Sequence, residues 1–174
     1  MTLPVCAGHD TINITGCSDS AKAQILDVQY KLEKQGYKAP PYITCDLKVA
    51  EKTWKEHNNK NINFKEVNGY YLPSIIDSYD SVFVRENSKS MTILRILTHE
   101  AGHYNSRLLI GLENYVAMFE YPVPEELKPK ITFIIREYAT TSRPEYVAEY
   151  FSYSQMGVRF PKDMRKLYKE SGGP

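Results

Sequence analysis

Residues 93–103 read Ile-Leu-Arg-Ile-Leu-Thr-His-Glu-Ala-Gly-His, and this stretch decides how the second half of the chain is interpreted. Its apolar residues recur with the period of an α-helix, so we expect a helix whose apolar side lies in the core. The two histidines, His99 and His103, are four residues apart and therefore lie on one face of that helix, one turn from each other. Because the chain has only four histidines, half of them fall in this single turn.

An imidazole pair with this spacing is typical of a zinc site. Two such nitrogens can bind one Zn²⁺ at about 2.0–2.1 Å each. Glu100 lies between the two histidines and can act as general base towards a water molecule on the metal. We therefore predict one Zn²⁺ with His99 and His103 as ligands and Glu100 as the catalytic base. The alternative is that both histidines are partly exposed side chains with no ligand role.

A catalytic zinc ion needs a third protein ligand, which must come from elsewhere in the chain. Ser106 and Leu109 stand where the extended metzincin motif has glycine and histidine, and this excludes that class. No histidine follows His103, so the candidates are the downstream carboxylates: Glu113, Glu120, Glu125, Glu126, Glu137, Glu145, Glu149 and Glu170.

Glu145 and Glu149 stand out because they lie one helical turn apart in an otherwise apolar and aromatic segment. Two acids on a buried helix face are costly unless a cation or hydrogen-bond donors compensate them. A zinc site would do so, with one acid on the metal and the other accepting the N–H of a ligating imidazole. Alternatively, both acids lie at the rim of the core beside tyrosines.

Residues 99–103, followed by Glu145-Tyr-Val-Ala-Glu149-Tyr-Phe, resemble the motifs of the zinc-peptidase domain of the anthrax lethal factor family, which includes the small secreted Pro-Pro endopeptidases of clostridia. The resemblance implies a zincin-like fold and zinc-dependent endopeptidase activity. It also implies that Glu145 is the third ligand, that Glu149 lies behind a ligating histidine, and that Tyr138 stabilises the oxyanion. Tyr146 and Val147 stand where the family motif has two phenylalanines.

Length and patterning predict a single α+β domain over residues 1–174, with a sheet-rich half at 1–88 and a helical half at 89–174. The first half is expected to contain a helix at 20–35, strands at 4–14, 43–49 and 80–86, and loops at 55–68 and 69–73. In the second half we predict helices at 90–108 (capped by Ser90), 112–120, 124–137, 143–156 and 161–170. The sheet is expected to be small and mixed, and the zinc site belongs to the helical half.

Composition argues against two classes of partner. The 22 lysines and arginines balance 21 aspartates and glutamates, for a net charge of +1, whereas binders of nucleic acid or acidic membranes normally carry a basic excess. No apolar run approaches the roughly 18–20 residues of a membrane-spanning helix. The expected partner is a polypeptide substrate of a monomeric enzyme, extended along an edge strand at Val82, Phe83 and Val84.

The cysteines and the N-terminal residues bear on the cellular compartment. Cys6, Cys17 and Cys45 are too few and too widely spaced for a disulfide framework, so we predict free, mostly buried thiols. The first residues lack a basic segment followed by an apolar core, so no signal peptide is predicted. The chain is then cytosolic, exported by another route, or a mature piece of a longer protein. We expect secretion or translocation out of a bacterial cell.

Two other functions stay open on the sequence alone. A catalytically silent, peptidase-like module could recognise an extended partner, and a translocated effector zinc protease of another lineage could carry the same motif. Glu100 and Tyr138 favour an active enzyme, because a binding module needs neither. A purely structural zinc site is disfavoured, because such sites usually have four protein ligands with cysteine among them.

Overall fold

The computed structural model describes residues 12–58, 63–73 and 80–174. These residues form a mixed α/β structure in which a four-stranded sheet lies in the first half and most helices lie in the second. The strands are β1 (Asn13–Thr15), β2 (Tyr42–Thr44), β3 (Gly69–Leu72) and β4 (Ser81–Val84). The helices are α1 (Asp19–Lys34), α2 (Leu47–Asn58), α3 (Ile93–Ile110), α4 (Leu112–Ala117), α5 (Lys128–Ile134), α6 (Arg143–Gln155) and α7 (Lys162–Glu170). Short 3₁₀ turns follow or precede these helices at Met118–Glu120, Glu125–Leu127 and Glu137–Thr140.

The sheet has the order β1-β2-β4-β3, in which β1, β2 and β4 are parallel and β3 runs antiparallel to β4. The small mixed sheet expected from the sequence is therefore confirmed. The prediction that Val82, Phe83 and Val84 lie on an edge strand is wrong, because β4 is paired on both sides and these three side chains are buried. Among the described strands, β3 forms the edge on this side of the sheet.

The predicted helices agree with the observed ones better in the second half of the chain than in the first. The helix predicted at 20–35 is confirmed as α1, and the Ser18 hydroxyl caps its first turn. The helices predicted after residue 90 are all present with somewhat different bounds. Helix α3 begins three residues later and ends two residues later than predicted, and it is capped by Thr92 and not by Ser90. The predicted strand at 4–14 lies mostly outside the described residues, which include only its end in β1.

Two predictions between residues 43 and 73 are wrong. The strand predicted at 43–49 ends at Thr44, because the Asp46 carboxylate accepts the N–H groups of Lys48 and Val49 at 2.8 and 3.2 Å and caps α2. This helix continues to Asn58, into the segment that was predicted to be a loop. Residues 69–73 were also predicted to be a loop, but Gly69–Leu72 pairs with β4 as a strand.

Cys17 and Cys45 form a disulfide bond, which corrects the prediction of free thiols. The parallel pairing of Thr15 with Thr44 brings the ends of β1 and β2 together, and their Cα atoms are 4.9 Å apart. The spacing of the two cysteines along the chain carries no sign of this contact, because it depends on the sheet. Cys6 lies outside the described residues.

Helix α3 is the central element of the molecule. Its apolar residues, including Ile96 and Leu97, pack with α1 and the sheet in one buried cluster, to which Phe151 of α6 also belongs. Where α3 meets α6, Gly102 faces Ala148 so closely that a methyl group on Gly102 would lie 2.9 Å from the Ala148 Cα. The absence of a side chain at Gly102 therefore allows the two helices that carry the candidate site to approach each other. Within the part of the chain that the structure describes, no helix is long and apolar enough to cross a membrane.

Candidate metal centre

The middle of α3 presents three buried polar side chains on one side of the helix. His99, Glu100 and His103 are each 5–6% exposed, and their potential ligand atoms all lie within 4.8 Å of one another. The Nε2 atoms of the two imidazoles are 3.2 Å apart, as expected for side chains one turn apart on the same face. This group could hold a metal ion.

Helix α6 adds a carboxylate directly opposite the imidazole pair. Oε2 of Glu145 lies 3.1 Å from Nε2 of His99 and 3.4 Å from Nε2 of His103. The Oε2 atom is buried and makes no regular hydrogen bond within the described residues. Ligands held about 2.0–2.1 Å from a tetrahedral ion lie about 3.3–3.4 Å from each other, so the three atoms have the separations of one face of such a site. The residues present therefore fit a metal ion with tetrahedral coordination.

Glu149 lies behind His99 and is completely buried. Its Oε1 atom is 2.9 Å from Nδ1 of His99, on the side of the ring opposite Glu145. Arg95 donates to Oε2 of Glu149 at 2.6 Å, and Arg136 donates to Oε1. The sequence indicated Glu149 but neither arginine, although an arginine within the apolar run of α3 is a signal that a buried acid lies nearby.

His103 has a different partner at its outer nitrogen. The hydroxyl of Tyr115, on α4, lies 2.9 Å from Nδ1 of His103, and both side chains are buried. The ring of Tyr71, on β3, is parallel to the imidazole with centroids 6.3 Å apart. The Tyr71 hydroxyl donates to Asp80 at 3.1 Å, and Asp80 also pairs with Arg107 on α3. Tyr115 could not be found from the sequence, since nothing in its local pattern separates it from the other thirteen tyrosines of the chain.

The electrostatics of the cluster favour positive charge beside its two carboxylates, and protonated His99 supplies it when no metal ion is bound, because its pKa is raised. Burial alone would raise the pKa of Glu145, but His103 and His99 hold it well below its usual range. Burial opposes ionisation of Glu149 too, yet His99 and Arg136 lower the pKa of this acid to about 2. Burial lowers the pKa of His99, but the Glu145 and Glu149 carboxylates outweigh this and raise it to about 10. Two ionised carboxylates thus face the imidazoles inside the protein, while burial raises the pKa of Glu100.

Tyr138 lies at the mouth of the site, on the 3₁₀ turn Glu137–Thr140 that precedes α6. Its ring centroid is 6.2 Å from that of His99, and the side chain is 45% exposed. The guanidinium of Arg136 lies 5.1 Å from the ring centroid, so the arginine that binds Glu149 also contacts Tyr138. Burial is the main cause that raises the pKa of the Tyr138 hydroxyl, which keeps it a hydrogen-bond donor at neutral pH.

Two cavities meet at these residues and form one groove beside β3. They have volumes of about 370 and 420 Å³ and share Gly69, His99, Glu100 and Tyr138. The second cavity also has a wall of aromatic side chains: Trp54, Tyr70, Tyr71, Tyr115 and Phe119. The structure therefore brings the predicted His99, Glu100, His103, Tyr138 and Glu145 together at one groove, with Glu149 buried behind His99. Val82, Phe83 and Val84 line neither cavity.

Comparison of the chain with known protein families, with characterised proteins and with solved structures gives no match.

Proposed function

We propose that this protein is a zinc-dependent endopeptidase with a zincin-like fold, of the lethal factor-like kind that its motifs resemble. The observation that carries the proposal is the triangle formed by Nε2 of His99, Nε2 of His103 and Oε2 of Glu145, with sides of 3.2, 3.1 and 3.4 Å. Three protein ligands without a fourth are typical of catalytic zinc, which keeps one position for water or substrate.

His99, His103 and Glu145 would hold the zinc ion. Zn²⁺ at this position would supply a Lewis acid that polarises a peptide carbonyl and lowers the pKa of a water molecule. Glu149 would accept the Nδ1–H of His99 and so keep the lone pair of Nε2 directed at the ion. Arg95 and Arg136 would keep Glu149 ionised and in place.

Glu100 is the general base in this proposal. It is buried, lines both cavities and lies close to the two imidazoles. Its carboxylate would accept a proton from the attacking water and then donate that proton to the departing amine nitrogen. Burial raises the pKa of Glu100, which makes its carboxylate a stronger base than that of an exposed glutamate.

Tyr138 would bind the oxyanion that develops on the scissile carbonyl. Its hydroxyl is protonated at neutral pH because its pKa is raised, and the residue lines both cavities together with His99 and Glu100. A donor that reaches the developing charge in this way contributes about 3–4 kcal/mol to transition-state stabilisation.

The edge strand β3 offers a place for an extended polypeptide. The carbonyl of Asn68 accepts a hydrogen bond from the N–H of Arg85 at 2.8 Å. The next pair along β3, Gly69 with Val84, is therefore a non-hydrogen-bonded pair, because the two kinds of pair alternate in an antiparallel ladder. The N–H and C=O groups of Gly69 and Tyr71 consequently point away from β4, towards the groove. A substrate would add a strand there through its main chain. β3 thus replaces β4 as the substrate-binding strand that we propose.

The disulfide supports a location outside the bacterial cytosol. Disulfide bonds persist in oxidising compartments and are rare where thioredoxin and glutathione keep thiols reduced. Cys17 and Cys45 therefore favour a secreted or translocated protein, with a polypeptide as its substrate.

Digestion of a broad peptide library by the zinc-loaded protein tests the proposal, with Glu100→Gln as a variant of nearly identical shape. We expect internal cleavage by the wild type, detected by mass spectrometry, and a loss of at least about a hundredfold in the variant while zinc is retained. If the wild type binds zinc and is as inert as Glu100→Gln across the library, the activity proposal is wrong, and the protein is a peptidase-like binding module.

A further inference from the structure

We infer that Tyr115 is a positioning residue of the metal centre, whose hydroxyl sets the orientation and the tautomer of His103. The inference rests on the proposed function, because it gives α4 a part in holding the same zinc ion. No motif singles out Tyr115, and it reaches the site from an element twelve residues beyond His103 in sequence.

The packing around Tyr115 directs its hydroxyl at one atom. The Tyr115 ring is buried and stands nearly perpendicular to the His103 ring, at 88° and with centroids 6.2 Å apart. Tyr71 and Phe119 also contact it edge to face, at centroid distances of 6.1 and 5.7 Å. With the ring held on three sides, its hydroxyl lies 2.9 Å from Nδ1 of His103.

The turn before α4 makes this contact possible. Gly111 has a φ of +82°, a left-handed conformation that glycine adopts without steric cost, and it ends α3 and begins α4. The helix is interrupted there, and Tyr115 on α4 contacts His103 on α3.

The chemistry of imidazole gives the contact its role. When Nε2 of His103 provides its lone pair to a metal ion, the ring proton must be on Nδ1, which then needs an acceptor. The Tyr115 oxygen is placed to be that acceptor. Without this partner, the Nδ1–H would be buried and unpaired, and the zinc-binding tautomer would lose stability.

The two ligating histidines are consequently supported in different ways. Nδ1 of His99 faces the ionised carboxylate of Glu149, which can only accept a proton. Nδ1 of His103 faces a neutral hydroxyl, which can accept or donate. Tyr115 can therefore remain the hydrogen-bond partner of Nδ1 of His103 whether or not that nitrogen carries the proton.

Tyr115→Phe tests the hydroxyl alone, because the ring and its packing are kept. The matched control is Tyr168→Phe, which removes a hydroxyl from another buried tyrosine, bonded at 3.1 Å to the carbonyl of Pro174 and remote from the groove. The zinc dissociation constant is measured by competition with a chromophoric chelator. We expect it to rise about 10- to 100-fold in Tyr115→Phe and to stay unchanged in Tyr168→Phe. The absorption bands of the Co²⁺-loaded protein should shift in Tyr115→Phe alone.

Equal zinc affinity in the wild type and Tyr115→Phe would overturn the inference, and so would an equal loss in both variants. If the wild type binds no zinc, the proposed function fails and not the inference alone. A measurement on the unmodified protein covers the case in which Tyr115→Phe does not fold. Nitrogen-15 NMR of the zinc-loaded wild type should show a protonated, hydrogen-bonded Nδ1 on His103, and an unprotonated Nδ1 there would contradict the role of Tyr115.

Discussion

The carboxylate of Glu149 and the imidazole of His99 are in contact, with Oε1 of the acid 2.9 Å from Nδ1 of the ring. This acid is completely buried and also binds Arg95 and Arg136. We expect Glu149→Gln to raise the zinc dissociation constant about 10- to 100-fold, because an amide is a weaker acceptor for the Nδ1–H of His99. Chelator competition measures the change. Glu137→Gln, at an exposed position of the neighbouring turn, is the control, and an unchanged affinity in Glu149→Gln would refute the role of the acid.

Tyr138→Phe tests the oxyanion donor separately from the metal. We expect kcat to fall about 10²- to 10³-fold with zinc retained and little change in KM, because the hydroxyl acts on the transition state more than on the bound substrate. Tyr153→Phe serves as control, since its hydroxyl donates to the Ile135 carbonyl at 3.0 Å and lines neither cavity. A zinc-loaded Tyr138→Phe with the kcat of the wild type would show that the hydroxyl has no catalytic part.

Gly102→Ala tests the close approach of α3 and α6. Alanine favours a helix over glycine by about 0.5–1 kcal/mol, so at an open helical position the change would stabilise the protein. Here the new methyl group would lie 2.9 Å from the Ala148 Cα and 3.1 Å from the Phe151 Cβ. We expect a net loss of about 1–3 kcal/mol in the free energy of unfolding, measured with urea, because the helices must move apart. A variant as stable as the wild type would mean that α3 and α6 accommodate the methyl group without moving apart.

Reduction of the Cys17–Cys45 bond should destabilise the fold. The bond joins residues 28 positions apart, for which the chain-entropy model gives about 3–4 kcal/mol. We expect this loss in urea unfolding of Cys17→Ser or of the reduced wild type. Cys6→Ser leaves the pair intact and should unfold like the parent protein. Equal stability of the oxidised and reduced forms would argue against the bond as a stabilising element.

The sequence predicted those parts of the site that depend on local geometry. His99, Glu100 and His103 share one helix, so their spacing alone places them together, as the structure confirms. Glu145 and Glu149 were found because two acids in an apolar helix are costly without compensation. Tyr138 came from the family resemblance alone, and its position beside His99 is consistent with that resemblance.

The remaining features depend on contacts between distant segments. Tyr115 and Arg136 reach the site through turns whose direction the sequence does not reveal. The alternation of Ile43, Cys45 and Leu47 favoured a strand, but the Asp46 cap starts a helix at Leu47. The place of β4 inside the sheet and the Cys17–Cys45 bond both follow from the order of the strands, which periodicity along one strand does not specify.

The zinc content of the purified protein shows whether His99, His103 and Glu145 form a zinc site. After dialysis against metal-free buffer, we expect about one zinc ion per chain in the wild type and in Glu137→Ala, and essentially none in His99→Ala. His99 is the decisive position, because its Nε2 atom belongs to the ligand triangle and its Nδ1 atom faces Glu149. If the wild-type protein binds no zinc, or if a folded His99→Ala retains one ion per chain, then His99, His103 and Glu145 do not form the zinc site.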